Sequence, residues 1–216
     1  MFKKFKDPIS ALTHMIGFFL AIPCAVLLIV QAARYATVWH VVSFSIFGGT
    51  LILLYLASTI YHMLPISERA SEILRKLDHM MIFVLIAGTY TPICLVPLRG
   101  AWGWSILGLV WTFAIAGIIL KAVWFKAPRW LSTTLYVTMG WVALIAIYPL
   151  VKTVPPIGVW LLFLGGVTYT IGAVIYAVKW PKLHFKWFGF HELFHLFVMG
   201  GSAFHIIMMF MMLRMG

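Results

Sequence analysis

The sequence predicts an all-α membrane protein, a seven-transmembrane helix bundle, and three observations lead to this fold class. Of the 216 residues, 63% are hydrophobic and 10% are charged, and the mean hydropathy is +1.04. Soluble domains are about 45–50% apolar and about 25% charged, so this composition excludes a soluble globular protein. Seven apolar stretches follow one another, each near the roughly 20 residues that a spanning helix needs. Residues 1–216 are therefore expected to form a single seven-helix transmembrane domain, without a separate extramembrane domain.

The apolar stretches define the predicted elements, because polar residues, proline or glycine interrupt the chain between them. In order, the predicted spans are 9–32, 40–63, 76–97, 102–123, 130–150, 157–178 and 189–213. Residues 67–76 predict one or two amphipathic helical turns that lead into the third span. Small residues let helix backbones approach closely in lipid, so glycine pairs within three spans predict close packing: Gly48-Gly49, Gly165-Gly166 and Gly200-Gly201.

The basic residues predict the orientation of the bundle in the membrane. The formal net charge is +11, and most of the 16 lysines and arginines fall on one side of the spans. That side carries Lys3, Lys4, Lys6, Arg69, Arg75, Lys76, Lys121, Lys126, Arg129, Lys179, Lys182 and Lys186, whereas the other carries Arg34, Arg99, Lys152 and Arg214. The positive-inside rule then predicts a cytoplasmic N-terminus and a C-terminus outside the cell. The charge therefore marks topology in the cell membrane, and the expected partners are membrane lipids rather than nucleic acid.

Ionisable side chains within the spans are few, and such costly residues are the first candidates for function. They are His14, His62, Asp78, His79, His191, Glu192, His195 and His205. The second span ends on the predicted cytoplasmic side, and the third and seventh spans begin there. His62, Asp78, His191 and His195 are therefore expected at one level of the bilayer, contributed by three helices, which is how metal sites are built in helix bundles.

The spacing of these residues predicts a zinc site. His191 and His195 are four residues apart and share a helix face, and His62 would supply a third imidazole. Three neutral imidazoles and one water are the ligand set of a catalytic zinc ion. Asp78 would hold that water or accept its proton, and Ser58, one turn from His62, would orient His62 or the water. The predicted metal residues are His62, Asp78, His191 and His195, and the predicted catalytic residues are Asp78 and Ser58.

The remaining histidines of the spans are expected to have other roles. His14, His79 and His205 are interpreted as hydrogen-bonding residues near the membrane interfaces. His205 follows His191 by 14 residues, which is about 21 Å along a helix, so the two cannot share an ion.

A competing motif overlaps the predicted site. Residues 191–195 read H-E-L-F-H, which matches the H-E-x-x-H pattern of zinc metalloproteases. In that interpretation Glu192 is the general base, and Asp78 could supply a third ligand. The pattern is only five residues long. Glu192 also lies in the first turn of its helix, where the helix dipole favours an acidic residue without any catalytic role.

Several segments together resemble one known family. They are residues 13–17 (THMIG), 56–62 (LASTIYH), 76–79 (KLDH), 87–92 (AGTYTP), 191–195 (HELFH) and 200–205 (GGSAFH). In these segments the sequence resembles the hemolysin III proteins, the bacterial branch of the progestin and adiponectin receptor superfamily. The resemblance implies zinc on His62, His191 and His195, with Asp78 reaching the metal through water and Ser58 nearby. It also implies hydrolysis of lipid amides, as in the related alkaline ceramidases.

Three functions remain open at this point. The first is a zinc-dependent, ceramidase-like hydrolase that acts on lipid amides or esters from the cytoplasmic leaflet. The second is a non-enzymatic membrane protein with a structural zinc: a sensor, a channel or cytolysin, or a regulator of membrane state. The third is an intramembrane protease, in which Glu192 rather than Asp78 would be essential.

Overall fold

The computed structural model describes residues 5–124, 127–183, 185 and 187–215. In chain order the helices of this part are α1 (Pro8–Tyr35), α2 (Val38–Met63), α3 (Glu68–Leu95), α4 (Ala101–Val123), α5 (Arg129–Gly140), α6 (Ile147–Thr153), α7 (Pro156–Val178) and α8 (Phe190–Met212). A 3₁₀ segment, Trp141–Ala146, joins α5 to α6. Because these three pieces form one span, Arg129–Thr153, seven segments are long and apolar enough to cross a membrane. The predicted all-α, seven-span fold class is confirmed.

The fifth span differs from its prediction because it is not one continuous α-helix. The Tyr90 hydroxyl on α3 lies at the break, where it donates to the carbonyl of Gly140 at 2.6 Å and accepts from the N–H of Ala143 at 2.8 Å. Backbone groups that leave the helical pattern within a bilayer need such partners, since lipid offers none. Trp141 then donates its indole N–H to Thr170 on α7, at 3.0 Å. Tyr90 therefore satisfies the backbone groups at the break, and the Trp141 side chain ties the break to α7.

The third helix begins earlier than the predicted span. It starts at Glu68, and the Ser67 hydroxyl accepts a hydrogen bond from the N–H of Ala70, which caps the first turn. The polar turns predicted over residues 67–76 are thus continuous with the membrane segment. Pro8 opens α1 and Pro156 opens α7, in the first helical turn where proline costs no hydrogen bond.

Close packing depends on one glycine of each predicted pair. A Cβ atom on Gly48 would lie 2.5 Å from Cβ of Ala25 on α1, whereas a Cβ on Gly49 would meet no atom within 4 Å. A Cβ on Gly165 would clash with the ring of His205, and a Cβ on Gly201 would lie 2.8 Å from the ring of Tyr169. The expectation of close helix contact is confirmed for these three positions. They fix the α1–α2 and α7–α8 pairs, and α8 also packs against α1.

The structure supports only part of the predicted distribution of basic residues. Lys3, Lys4, Lys126 and Lys186 lie outside the described residues. The other eight residues of the basic set lie toward one end of the helices. Lys121 belongs to this basic set, yet it is buried in the last turn of α4. Which end faces the cytoplasm stays a prediction from the charge distribution.

Candidate metal centre

Three histidines converge between α2 and α8, at the end of the bundle where α2 ends and α8 begins. One ring nitrogen from each of His62, His191 and His195 lies within 4.8 Å of the other two. The ring centroids are 5.0 Å apart for His62 and His191, 5.1 Å for His62 and His195, and 4.6 Å for His191 and His195. His62 and His195 are buried, and His191 is partly buried. The structure therefore brings together the three histidines that the sequence proposed as ligands.

The geometry of this cluster fits a tetrahedral zinc ion. The Nε2 atoms of His62 and His191 lie 3.2 Å apart. Two nitrogens that bind one tetrahedral zinc at about 2.0–2.1 Å are separated by about 3.3 Å, which is close to this distance. His195 would supply the third nitrogen, and three histidines leave a fourth position for water or substrate. His62, His191 and His195 are thus a suitable donor set.

Two residues of the first helix orient these imidazoles. The Nδ1–H of His62 donates to the Asp7 carboxylate at 3.0 Å, so Nε2 of His62 keeps its lone pair. Thr13 donates its hydroxyl hydrogen to the carbonyl of Ser10, so its oxygen accepts from Nδ1–H of His195 at 3.2 Å. The hydrogen bond from His62 lowers the pKa of the Asp7 carboxyl. Partners of this kind set the tautomer of metal-binding histidines.

Sequence reasoning missed both orienting residues. Asp7 lies 55 residues before His62 in the sequence and precedes the first span as an ordinary N-terminal flanking acid. The backbone N–H of Asp7 also donates to the carbonyl of His62 at 3.0 Å, which fixes the start of α1 against the end of α2. In the sequence, the Asp7-Pro8 pair indicates only where the first helix begins, and it gives no sign of a contact with His62.

Asp78 and Ser58 lie on the wall of the same cavity, but Asp78 is outside the three-nitrogen group. Both side chains are buried. The Ser58 hydroxyl has no hydrogen-bond partner among the described residues, although it faces the region of Asp78. An Asp78 carboxylate separated from the imidazoles agrees with a role through water rather than as a direct ligand.

Glu192 is held in structural contacts. Its Oε2 atom accepts from the N–H of Gly189 at 2.8 Å, which caps the first turn of α8, and its Oε1 accepts from the Ser10 hydroxyl at 2.5 Å. Both carboxylate oxygens therefore have donors, and one of these donors ties α1 to α8. A base that activates water needs a free oxygen directed at that water. This arrangement disfavours the protease interpretation.

The other histidines of the spans have three different environments. His14 was expected at an interface with hydrogen bonds, but it is buried and stacks on His195 with ring centroids 3.6 Å apart, and neither ring nitrogen has a partner among the described residues. Helix α1 packs against α8 here, which the sequence could not reveal. His79 lies 3.5 Å from the Tyr176 hydroxyl. His205 lies near the carbonyl of Leu162 at 3.4 Å, apart from the cluster as predicted.

A cavity of about 1050 Å³ connects these positions. The histidine cluster, Ser58 and Asp78 line one part of it, and His205 lines another. The rise of an α-helix places His205 about 21 Å from His191, along most of the roughly 30 Å hydrocarbon core. Most of the lining between them is apolar, including Leu85, Ile93 and Phe163. A ligand here would place a polar group at the histidines and a long apolar part along the bundle.

The fold and the site define an integral, multi-pass membrane protein with a buried histidine cluster opening into a long apolar cavity. The sequence model of the family described as "Haemolysin-III related" matches residues 2–206. The chain belongs to this family, and its place is the cell membrane. The resemblance noted from the motifs is thereby confirmed.

The relatives cover nearly the whole chain. The "Hemolysin-3 homolog" of Bacillus subtilis (strain 168) is 44% identical over 203 residues, which are 94% of this chain and 92% of that protein. "Hemolysin-3" of Bacillus cereus is 42% identical over 194 residues, 90% of this chain and 85% of that protein. The human "Monocyte to macrophage differentiation factor" is 27% identical over 180 residues, 77% and 68% of the two chains. No solved structure matches the chain significantly.

Proposed function

We propose that this protein is a zinc-dependent hydrolase that cleaves an amide or ester bond of a membrane lipid within the bundle. One observation carries the proposal: three histidines from two helices, two of them buried and one partly buried, converge at a long apolar cavity that also contains a buried aspartate. A structural metal clamp needs no cavity beside it. A lipid hydrolase needs both the metal site and room for the acyl chain.

His62, His191 and His195 would hold the zinc ion. When bound, zinc lowers the pKa of a coordinated water to about 7 and polarises a carbonyl group. Asp78 accepts the proton of the attacking water as a new bond forms between the water oxygen and the carbonyl carbon. Asp78 then returns that proton to the leaving nitrogen or oxygen as the old bond breaks. Ser58 donates a hydrogen bond that holds the water or the Asp78 carboxylate in place.

The apolar walls contribute by positioning the lipid and by excluding water. Pockets for small ligands usually enclose about 300–1,000 Å³ and combine an apolar lining with a few polar groups. This cavity has that character, because its lining combines the histidine cluster, Ser58 and Asp78 with many aliphatic and aromatic side chains. A hydrocarbon chain in the cavity fixes the scissile bond beside Asp78.

The test replaces two carboxylates and three histidines, one residue at a time, in purified protein supplied with zinc. Turnover is followed with a fluorescent ceramide and a fluorescent phospholipid in detergent micelles. We expect Asp78→Asn to retain zinc and to lose about 10²-fold or more in rate, as for a general base. Glu192→Gln should retain most of the activity, because its carboxylate serves packing rather than proton transfer.

Metal analysis of the same preparations separates the ligands from the other histidines. His62→Ala and His191→Ala should lose zinc, and His205→Ala should keep it because His205 lies outside the cluster. Zinc retained by both ligand variants would overturn the site. Zinc that is bound by the wild type without turnover of either lipid class would overturn the hydrolase and leave a structural metal. Lipid turnover that is lost in Glu192→Gln and kept in Asp78→Asn would assign the general base to Glu192 and overturn the role of Asp78.

A further inference from the structure

Glu192 is the one residue of the H-E-x-x-H pattern that the proposed hydrolysis leaves without a role beyond packing. Its Oε1 atom accepts a hydrogen bond of 2.5 Å from the hydroxyl of Ser10, which is buried. Ser10 lies on α1, 182 residues earlier in the chain, so this bond joins the first helix to the last. A hydrogen bond to a carboxylate is roughly twice as strong as one between neutral groups. It can therefore hold two helices in a fixed position.

A second hydrogen bond joins the same two helices one turn further along. The Thr13 hydroxyl oxygen accepts from the Nδ1–H of His195 at 3.2 Å, and these two residues are also 182 positions apart. Ser10 and Thr13 lie three residues apart on α1, as Glu192 and His195 do on α8, so each pair occupies one helix face. Because the two separations are equal, α1 and α8 run in the same direction here and are held in register.

His195 depends on this register in two ways. Thr13 binds one of its ring nitrogens, and His14 stacks on its ring with centroids 3.6 Å apart and an angle of 8° between the ring planes. A shift of α1 along α8 by one residue would move Thr13 by about 1.5 Å. The hydrogen bond from His195, at 3.2 Å, is already at the upper end of the usual range, so such a shift would break it.

We propose that Glu192 is a positioning residue for His195. Through its bond to Ser10, Glu192 fixes the register of α1 against α8. That register keeps the oxygen of Thr13 on the Nδ1–H of His195 and leaves the Nε2 lone pair for a metal. The effect passes through Ser10 and Thr13, and it requires Glu192 neither to bind the metal nor to accept a proton. Its consequence for zinc rests on the proposed function, whereas its consequence for the tautomer of His195 does not.

The first test determines the tautomer of His195 from the ¹⁵N NMR spectrum of the histidine side chains. The spectrum is recorded on the full chain in detergent, after treatment with a chelator, at one fixed alkaline pH. A spectrum of His195→Gln identifies the signals of His195. We expect the wild type to carry the hydrogen on Nδ1. Ser10→Ala removes the donor and Glu192→Ala removes the acceptor, so each should shift the His195 signals toward a mixture of both tautomers.

A double variant and two controls show whether the effect follows this path. Ser10→Ala, Glu192→Ala and the double variant should give the same mixture of tautomers, because each removes the same hydrogen bond. Glu192→Gln should stay close to the wild type, since its amide oxygen can still accept from Ser10. Ser202→Ala is the matched control, because Ser202 is buried on α8 and bonds to tyrosines of α2 and α7 rather than to α1. It should leave the signals of His195 unchanged.

Zinc affinity, measured by competition with a chelating dye, is the second readout. We expect Ser10→Ala and Glu192→Ala each to weaken zinc binding about tenfold, as for other residues that orient metal ligands. Glu192→Gln should restore most of this affinity. A wild-type protein that binds no zinc would refute the proposed hydrolase, and the tautomer of His195 would still decide this proposal.

Four results would overturn the positioning role. One is a wild-type tautomer in Ser10→Ala, which decides the question even if Glu192→Ala does not fold. Another is a larger change in the double variant than in either single variant, because Glu192 would then act separately from Ser10, through its cap on Gly189. The third is an equal shift in Ser202→Ala, which would show general loosening of α8. The last is wild-type zinc affinity in a variant whose tautomer has shifted.

Discussion

At the scale of single residues, the three histidines of the cluster could be predicted, and the residues that contact them from the first helix could not. His191 and His195 share a helix face because of their spacing, and the alternation of spans brings His62 to the same level. Asp7 immediately precedes α1, and Thr13 and His14 lie on it. Their contacts with His62 and His195 depend on how α1 packs against α2 and α8. No local pattern encodes that packing. The same holds for Lys121, whose charge looked like a topology signal until its burial was known.

Asp7 gives a prediction at this scale. Replacing Asp7 with Ala removes the acceptor that keeps the Nδ1–H of His62 in place, so we expect zinc affinity to fall about 10–100-fold. Affinity is measured by competition with a chelating dye. Asp7→Asn should lie between wild type and Asp7→Ala, because the amide oxygen still accepts the hydrogen bond.

The control for Asp7 is another carboxylate that pairs with a basic group. Glu72 lies 3.3 Å from Lys76, on an exposed face of α3. Exposed pairs contribute little, so Glu72→Ala should leave zinc affinity unchanged. Equal zinc affinity in Asp7→Ala and the wild type would contradict the orienting role.

At the scale of helices, the boundaries follow from hydropathy, but the break in the fifth span does not. Residues 130–150 contain no charged side chain, and Gly140 is tolerated in many helices. The 3₁₀ segment forms because Tyr90, on another helix, satisfies both backbone groups at the break. The glycine pairs show the same limit: their presence predicted contact, yet only the structure tells which member of each pair faces a neighbour.

The adjacent residues Gly48 and Gly49 provide a matched test of helix packing. Gly48→Ala would force a Cβ to within 2.5 Å of Ala25, so we expect a loss of about 1–3 kcal/mol, as for overpacking. Gly49→Ala meets no atom within 4 Å and should gain about 0.5–1 kcal/mol from reduced chain entropy. Thermal unfolding in detergent measures both. Equal melting temperatures for the two variants would show that the α1–α2 contact is looser than described.

At the scale of the whole molecule, the candidate site joins elements that are distant in sequence. It draws His62 from α2, His191 and His195 from α8, and their orienting partners from the start of α1. A bound metal therefore links both ends of the chain in the folded state, and the unfolded chain cannot present the same arrangement. Metal occupancy and global stability should consequently be coupled.

Removal of the metal tests this coupling. A ligand present at about 100 times its Kd stabilises the native state by about 2.7 kcal/mol. For a chain of this length we therefore expect a chelator to lower the melting temperature of the wild type by roughly 5–10 °C, and added zinc to restore it. His62→Ala should be insensitive to the chelator, whereas His205→Ala should respond like the wild type. A wild-type melting temperature that neither treatment changes would contradict the coupling.

The contact between Asp7 and His62 also determines how the protein should be handled in the laboratory. A fusion partner or affinity tag joined shortly before Asp7 would lie beside the histidine cluster. Histidines of the tag could then compete with the cluster for zinc. Helix α8 ends at Met212, at the opposite end of the bundle from His191. A tag placed after Met215 and removed before metal analysis keeps competing ligands about a membrane's thickness away from the site.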